Sequence, residues 1–211
     1  MMGNKIHRLI LIALVGLACA LGIAAQRVAR PDLHSRAKSN GGKLVWKYKP
    51  TRSVIYPTVE ELFKRTDIVI VGRTLGHRGR LTPDGKFVTE DFLVRVQEVL
   101  KGNVQNGSSI LISLPGGSYK FPDGAHVHVM AVGYKQAVDG VSYVFFLKDN
   151  KNTDYKGYRL ASDTQGLFAL KDRKVEPAYT GASDPIATKN QGVDAITFIR
   201  QLRAAVPVAK K

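Results

Sequence analysis

Two histidines, His126 and His128, stand two residues apart in the run AHVHVMA. On a strand that spacing puts both imidazoles on one face, where they could begin a metal site. No third histidine, no cysteine and no clear carboxylate cluster stands near them in sequence, so the pair reads as incidental and no metal is assigned. A serine hydrolase would want a Gly-x-Ser-x-Gly turn, and NGSS and PGGS lack it. Glu90 and Asp91 are neighbours on a predicted strand and face opposite ways, so they are not a paired acid and base. No phosphate loop, dinucleotide fingerprint or zincin motif occurs. No residue is left for a catalytic role, no cofactor is implied, and the chain reads as non-enzymatic.

Binding chemistry is better represented. The run GRTLGHRGRLTPDGK gathers Arg73, His77, Arg78, Arg80 and Lys86 around one predicted hairpin loop. Guanidinium groups collected there could read phosphate or carboxylate, and the loop between the first two strands of an OB-type barrel borders its ligand face. A hydrated hairpin tip is the plainer alternative. Gly116-Gly117 is either barrel punctuation or a nest for an anion; no Lys or Ser/Thr of a phosphate loop follows at the required spacing.

These residues need a scaffold, and the pattern of the chain supplies one. The 211 residues carry 44 % hydrophobic content, enough to bury a core without staples. The net charge of +15 favours acidic partners, whether nucleic acid, anionic lipid headgroups or acidic polysaccharide, and a protein or an anionic envelope polymer or lipid is the expected partner. Residues 1–25 have a basic start (Lys5, Arg8), an apolar run from Leu9 to Ala25 and a small-residue end, which reads as a signal peptide or an N-terminal anchor. The chain is therefore expected to be exported: periplasmic, secreted or tethered at the cell envelope, touching a membrane only through that segment. Nucleic acid is disfavoured as a partner on the same ground. The single cysteine, Cys19, lies inside the apolar run, so the rest of the chain has no disulfide and no thiol nucleophile. Residues 26–50, with seven Lys or Arg against one Asp, read as a basic disordered spacer.

A barrel domain is expected over residues 51–178. Thr58 and Glu61 form a capping box that opens a short helix. Strands are predicted over 67–77, 86–102, 108–114, 126–132, 141–148, 155–162 and 166–172, with turns at 79–86, 103–107 and Asp139-Gly140, and an edge-like RKVEPAY. The long strand changes parity at Glu98–Leu100, which calls for a bulge that lets it serve two sides of a barrel. Residues 179–211 are expected to hold a linker, an amphipathic helix over 191–205 with Val193, Ile196, Ile199 and Leu202 on one side, and a basic tail.

The segments VEELFKRTDIVIVGRT, FVTEDFLVRVQEVLKG, ILISLPGG, VSYVFFLKD, GYRLAS and GLFAL together resemble a widespread group of uncharacterised bacterial exported domains. The resemblance covers about residues 58–171 and implies a small closed barrel of the OB or netrin-like (TIMP-like) kind. Its motifs are structural and imply no chemistry. The metal-directed N-terminal cysteine of animal netrin-like inhibitors has no counterpart here. Fold class is thus expected to be mainly β: a small Greek-key, OB-like barrel of five to seven strands, with a short N-terminal helix and a C-terminal amphipathic helix. The expected function is a non-enzymatic module that binds a protein or an anionic envelope component; an envelope hydrolase or hydrolase inhibitor on the same barrel is the alternative.

Overall fold

The structure is a computed structural model that describes residues 31–50, 54–149, 157–181 and 184–205. The chain divides into two compact units, Met1–Pro31 and Asp32–Lys211, and all the described helices and strands belong to the second. The signal-peptide or anchor reading of residues 1–25 and the basic tail after residue 205 lie outside the described residues. In chain order the elements are α1 (Leu33–Ser39), β1 (Lys43–Tyr48), α2 (Val59–Arg65), β2 (Ile68–Leu81), β3 (Val88–Lys101), β4 (Ser109–Pro115), β5 (Gly117–Lys120), β6 (His126–Ala131), β7 (Ser142–Asp149), β8 (Tyr158–Leu160), β9 (Leu167–Lys171), β10 (Lys174–Pro177), α3 (Pro185–Asn190) and α4 (Ala195–Ala204).

Five of the strands close a ring. β2 pairs antiparallel with β3 and with β7, β3 with β4, and β7 with β8, while β4 and β8 close the circle in parallel. This is the strand order of a small Greek-key, OB-like barrel. β9 and β10 continue the sheet outward from β7.

Alternation along the ring strands feeds two cores. Ile68, Ile70, Phe92, Val94, Tyr143, Phe145 and Leu147 fill the barrel interior. Val69, Val71, Val144 and Phe146 point outward and are covered by α2, α3, α4 and the β9–β10 hairpin through Leu62, Phe63, Ile186, Phe198 and Phe168. The expected bulge is present. β2 and β3 shift register between Val71 and Gly72 and again between Val69 and Ile70, so that Val99 packs on the interior core and Leu100 on the outer one.

The Lys101-Gly102 pair ends β3 for a reason that lies in α2. Thr58 caps that helix at its start, its Oγ1 accepting the Glu61 N–H at 3.2 Å. At its other end the Lys101 ammonium donates to the carbonyls of Phe63, Lys64 and Thr66 at 2.8, 3.1 and 2.6 Å. Gly102 then turns at φ +93°, where a Cβ would come within 2.8 Å of the Asp67 carbonyl oxygen.

Two expectations are corrected. Residues 26–50 are not a disordered spacer in their described part: α1 buries Leu33 and Ala37, and β1 pairs in parallel with β6. The apolar set Leu33, Ala37, Leu44, Trp46 and Tyr48 is too sparse to look like a core, but it packs on Phe121, Val127, Val129 and the tip of the β2–β3 hairpin, all distant in sequence. Secondly, α4 begins at Ala195, capped by Asp194, and buries Phe198 and Leu202, while Ile196 is exposed. Val193, Ile199 and Leu202 pack on the outer core as expected, and Phe198 takes the place expected of Ile196. Of the small sheet only β6 matches an expected strand, the one over 126–132; β1, β5 and the helix α3 have no counterpart among the elements expected from sequence.

Candidate functional site

The hairpin residues singled out from sequence do not form a loop cluster. β2 runs on to Leu81, through the first three residues of the predicted turn, and the turn itself is closed by Thr82, whose N–H donates to the Phe87 carbonyl at 2.9 Å. Arg73, His77, Arg78 and Arg80 therefore stand on a strand. Only Lys86 lies in the turn, where its backbone N–H donates to Asp84 Oδ1 at 3.1 Å.

The side chains diverge. Arg73 sits opposite Arg95 and is exposed. Arg78 is exposed and, among the described residues, has no ion pair. Arg80 is committed to the fold: its Nε donates to Asp91 Oδ2 at 2.8 Å and its Nη2 to Ser113 Oγ at 3.4 Å. His77 goes to the other side of the strand, stacked on Phe92 at 4.9 Å between centroids. Its Nδ1 lies 2.9 Å from Asp139 Oδ1, and its Nε2 lies 4.0 Å from Glu90 Oε1. A carboxylate against Nδ1 fixes the proton there.

Glu90 is the centre of this polar chain. Its Oε1 accepts the Ser118 N–H at 3.3 Å, and Ser118 Oγ lies 2.7 Å from His128 Nδ1. Burial pushes the Glu90 carboxyl up, while His77, the Ser118 N–H and His128 draw it the other way. Gly117 makes the approach feasible: at φ +115° it has no side chain, and a Cβ there would overlap the Glu90 side chain. Gly79 does the same for β5, since a Cβ on it would overlap the Ser118 carbonyl. The Gly116-Gly117 pair thus seats a carboxylate of this chain, and the Ser118 N–H is already used.

The small sheet presents a different surface. In register across it stand Lys43, His126 and Lys120; then Val45, His128 and Ser118; then Lys47 and Met130. None of these positions is acidic. Val45 is 63 % exposed and Met130 37 %. Among the described residues Lys43, Lys47 and Lys120 have no ion-pair partner, and no group of three His, Cys, Asp or Glu could hold a metal. The opposite face is arranged otherwise. There the Lys38 ammonium at 2.8 Å and His34 at 2.9 Å hold the Asp123 carboxylate well below the usual range, and His34 stacks on Phe121 at 4.3 Å. Past Met130 the cationic face meets a hollow of about 360 Å³ lined by Lys47, Val132, Tyr134 and Lys135.

Sequence reasoning placed His126 and His128 on one face of a strand but missed their neighbours. The signal was available: KLVWKY alternates Lys43, Val45 and Lys47 with Leu44, Trp46 and Tyr48, a strand with one polar and one packed side. Asp139 and Ser118 carried no local signal, because Asp139 meets His77 only through the pairing of β7 with β2, and Ser118 meets His128 only through the pairing of β5 with β6. The chain matches no protein-family model and no curated protein.

Proposed function

We propose that the chain is an exported, non-enzymatic binding module whose contact surface is the outer face of the β1–β6–β5 sheet and whose partner is an anionic envelope component. One observation carries this: Lys43, Lys47, Lys120, His126 and His128 share a face on which none of the register positions is acidic, on a chain of net charge +15. Exposed lysines without partners keep their full attraction for a polyanion, and the exposed Val45 and Met130 add apolar contact at the same place. The Arg73–Lys86 segment contributes less than its composition suggests, since Arg80 and His77 already have acidic partners.

The test is titration of the full chain onto anionic vesicles, neutral vesicles and an acidic polysaccharide at low and high salt, together with the triple variant Lys43→Glu, Lys47→Glu, Lys120→Glu. Exposed charges are screened over about 8 Å at physiological ionic strength, so affinity for at least one anionic surface is expected to fall steeply with salt. The triple variant is expected to bind at least tenfold more weakly. Equal binding to neutral and anionic surfaces, or an unchanged triple variant, removes this face from consideration.

A second reading, hydrolysis, is favoured by one contact: the Ser118 hydroxyl on His128 Nδ1 at 2.7 Å. Against it, the Ser118 N–H is engaged by Glu90, so the backbone donor that would stabilise an oxyanion there is already used. Ester hydrolysis by the full chain that vanishes in Ser118→Ala would reverse the preference.

A further inference from the structure

A second cavity of about 330 Å³ opens beside the barrel, sharing Lys135 with the hollow next to the cationic face, and its chemistry is lopsided. Its floor is a row across three neighbouring strands: Tyr143 of β7, Ala169 of β9 and Glu176 of β10, which are register partners. Lys171 stands next along β9, and the segment from Lys135 to Val141 forms the opposite wall. Val138, Val141 and Ala178 make that enclosure apolar.

The polar atoms around it are donors in excess. The Tyr143 hydroxyl accepts the Val138 N–H at 2.8 Å, and among the described residues its own proton has no acceptor. Lys171 has no ion pair among the described residues. The carboxylate in the lining, Glu176, is taken by Lys135 at 3.4 Å. A buried donor without an acceptor costs free energy that a bound acceptor returns, and a carboxylate offers several lone pairs at once. The volume lies at the small end of ligand pockets, in which apolar walls hold the body and a few polar groups fix the orientation.

We infer that this cavity is a binding site for a small monocarboxylate with an apolar body. The carboxylate takes the Tyr143 hydroxyl and the Lys171 ammonium, and the body lies over Ala169 against Val138 and Val141. The site is independent of the cationic sheet face, so either can fail without the other.

The probes are octanoate and 1-octanol, matched in apolar length and differing in the charged end, titrated onto the full chain and followed by calorimetry and by backbone amide shifts. Octanoate is expected to bind at least tenfold more tightly than octanol and to move the amides of Val138, Tyr143 and Ala169. Lys171→Ala, a change at an exposed position, should weaken octanoate at least tenfold and leave octanol unchanged. Ala169→Leu should fill the floor and abolish both. No octanoate binding at millimolar concentration, equal binding of acid and alcohol, or octanoate affinity that survives Lys171→Ala overturns the assignment. If Ala169→Leu does not fold, the Lys171 variant decides alone.

Discussion

The Lys101 ammonium donates to the Phe63 carbonyl at 2.8 Å, and so a strand end holds a helix end in place. The same ammonium also serves Lys64 and Thr66. A cation at a helix C-terminus satisfies carbonyls that have no intrahelical partner, and its charge-assisted bonds exceed neutral ones. Lys101→Met keeps the apolar stem and removes the donors. It is expected to cost about 1–3 kcal/mol, read as a lower urea midpoint, with faster amide exchange in α2 than in β7. An unchanged midpoint would mean that water replaces the ammonium without loss.

Arg78 and Arg80 are two residues apart on β2 and should behave oppositely. Asp91 is buried, and Arg80 bonds to it at 2.8 Å. Arg80→Ala leaves that carboxylate buried without its cation and is expected to destabilise by about 2–4 kcal/mol. Arg78→Ala, at an exposed position, should fall within about 0.5 kcal/mol of the parent chain. Equal effects of the two changes in thermal melts would sink this distinction.

Gly117 faces Glu90 with no room for a methyl group, in a backbone region that side chains rarely adopt. Gly117→Ala is expected to cost about 2–4 kcal/mol, part steric overlap and part backbone strain. In a Glu90→Ala background the overlap disappears, and the cost of Gly117→Ala should shrink to the strain alone, about 1–2 kcal/mol. A double-mutant cycle with no coupling between the two positions would show that the neighbouring strands give way instead.

Burial raises the Glu90 carboxyl, so the folded chain holds that proton more tightly than the unfolded chain does. The stabilising contribution of this group is fully present below the ordinary glutamate range. It is lost as pH rises through the raised value. Glu90→Gln keeps an oxygen to accept the Ser118 N–H and does not titrate. Between pH 4 and pH 7 the parent chain should therefore lose stability relative to the Gln variant. Urea midpoints across that range supply the measurement, and a pH-independent difference would contradict it.

Asp172 and Arg173 form the two-residue turn between β9 and β10, at φ 50° and 62°. Both central residues of such a turn carry positive φ, which suits Asn-Gly. Asp172→Asn with Arg173→Gly is expected to stabilise by about 0.5–1 kcal/mol. A lower melting temperature would indicate that Arg173 makes a compensating contact.

How much of the fold was legible in the sequence tracks how local each cause is. The Thr58 cap, the bulge near Leu100 and the turns depend on neighbours in sequence, and each left a pattern there. The α1–β1 segment left only the short alternation of KLVWKY, because Leu33 and Trp46 find their core only when β6 arrives beside them. The extent of β2 was misjudged for a related reason. Gly79 looks like a turn residue, yet it is there because β5 passes too close for a side chain. The arginines were visible by type but not by role, since Asp91 looks no different from a solvated aspartate until its burial is known. The cationic face needed β1 to assemble in register with the β5–β6 hairpin, which lies far along the chain.

β8 is three residues long, yet it carries both the parallel pairing to β4 and the antiparallel pairing to β7. The β2–β3–β4 meander can form early, because its partners are near in sequence and the loops to be closed are short. Joining Ile112 to Tyr158 must wait until β7 has docked, and it is secured by two register pairs. The barrel therefore has a seam: the staves assemble first and the hoop is fastened last. Brief openings of the native chain should begin at Tyr158 and Arg159 and admit water to the Phe92 side of the interior while the rest of the ring stays intact.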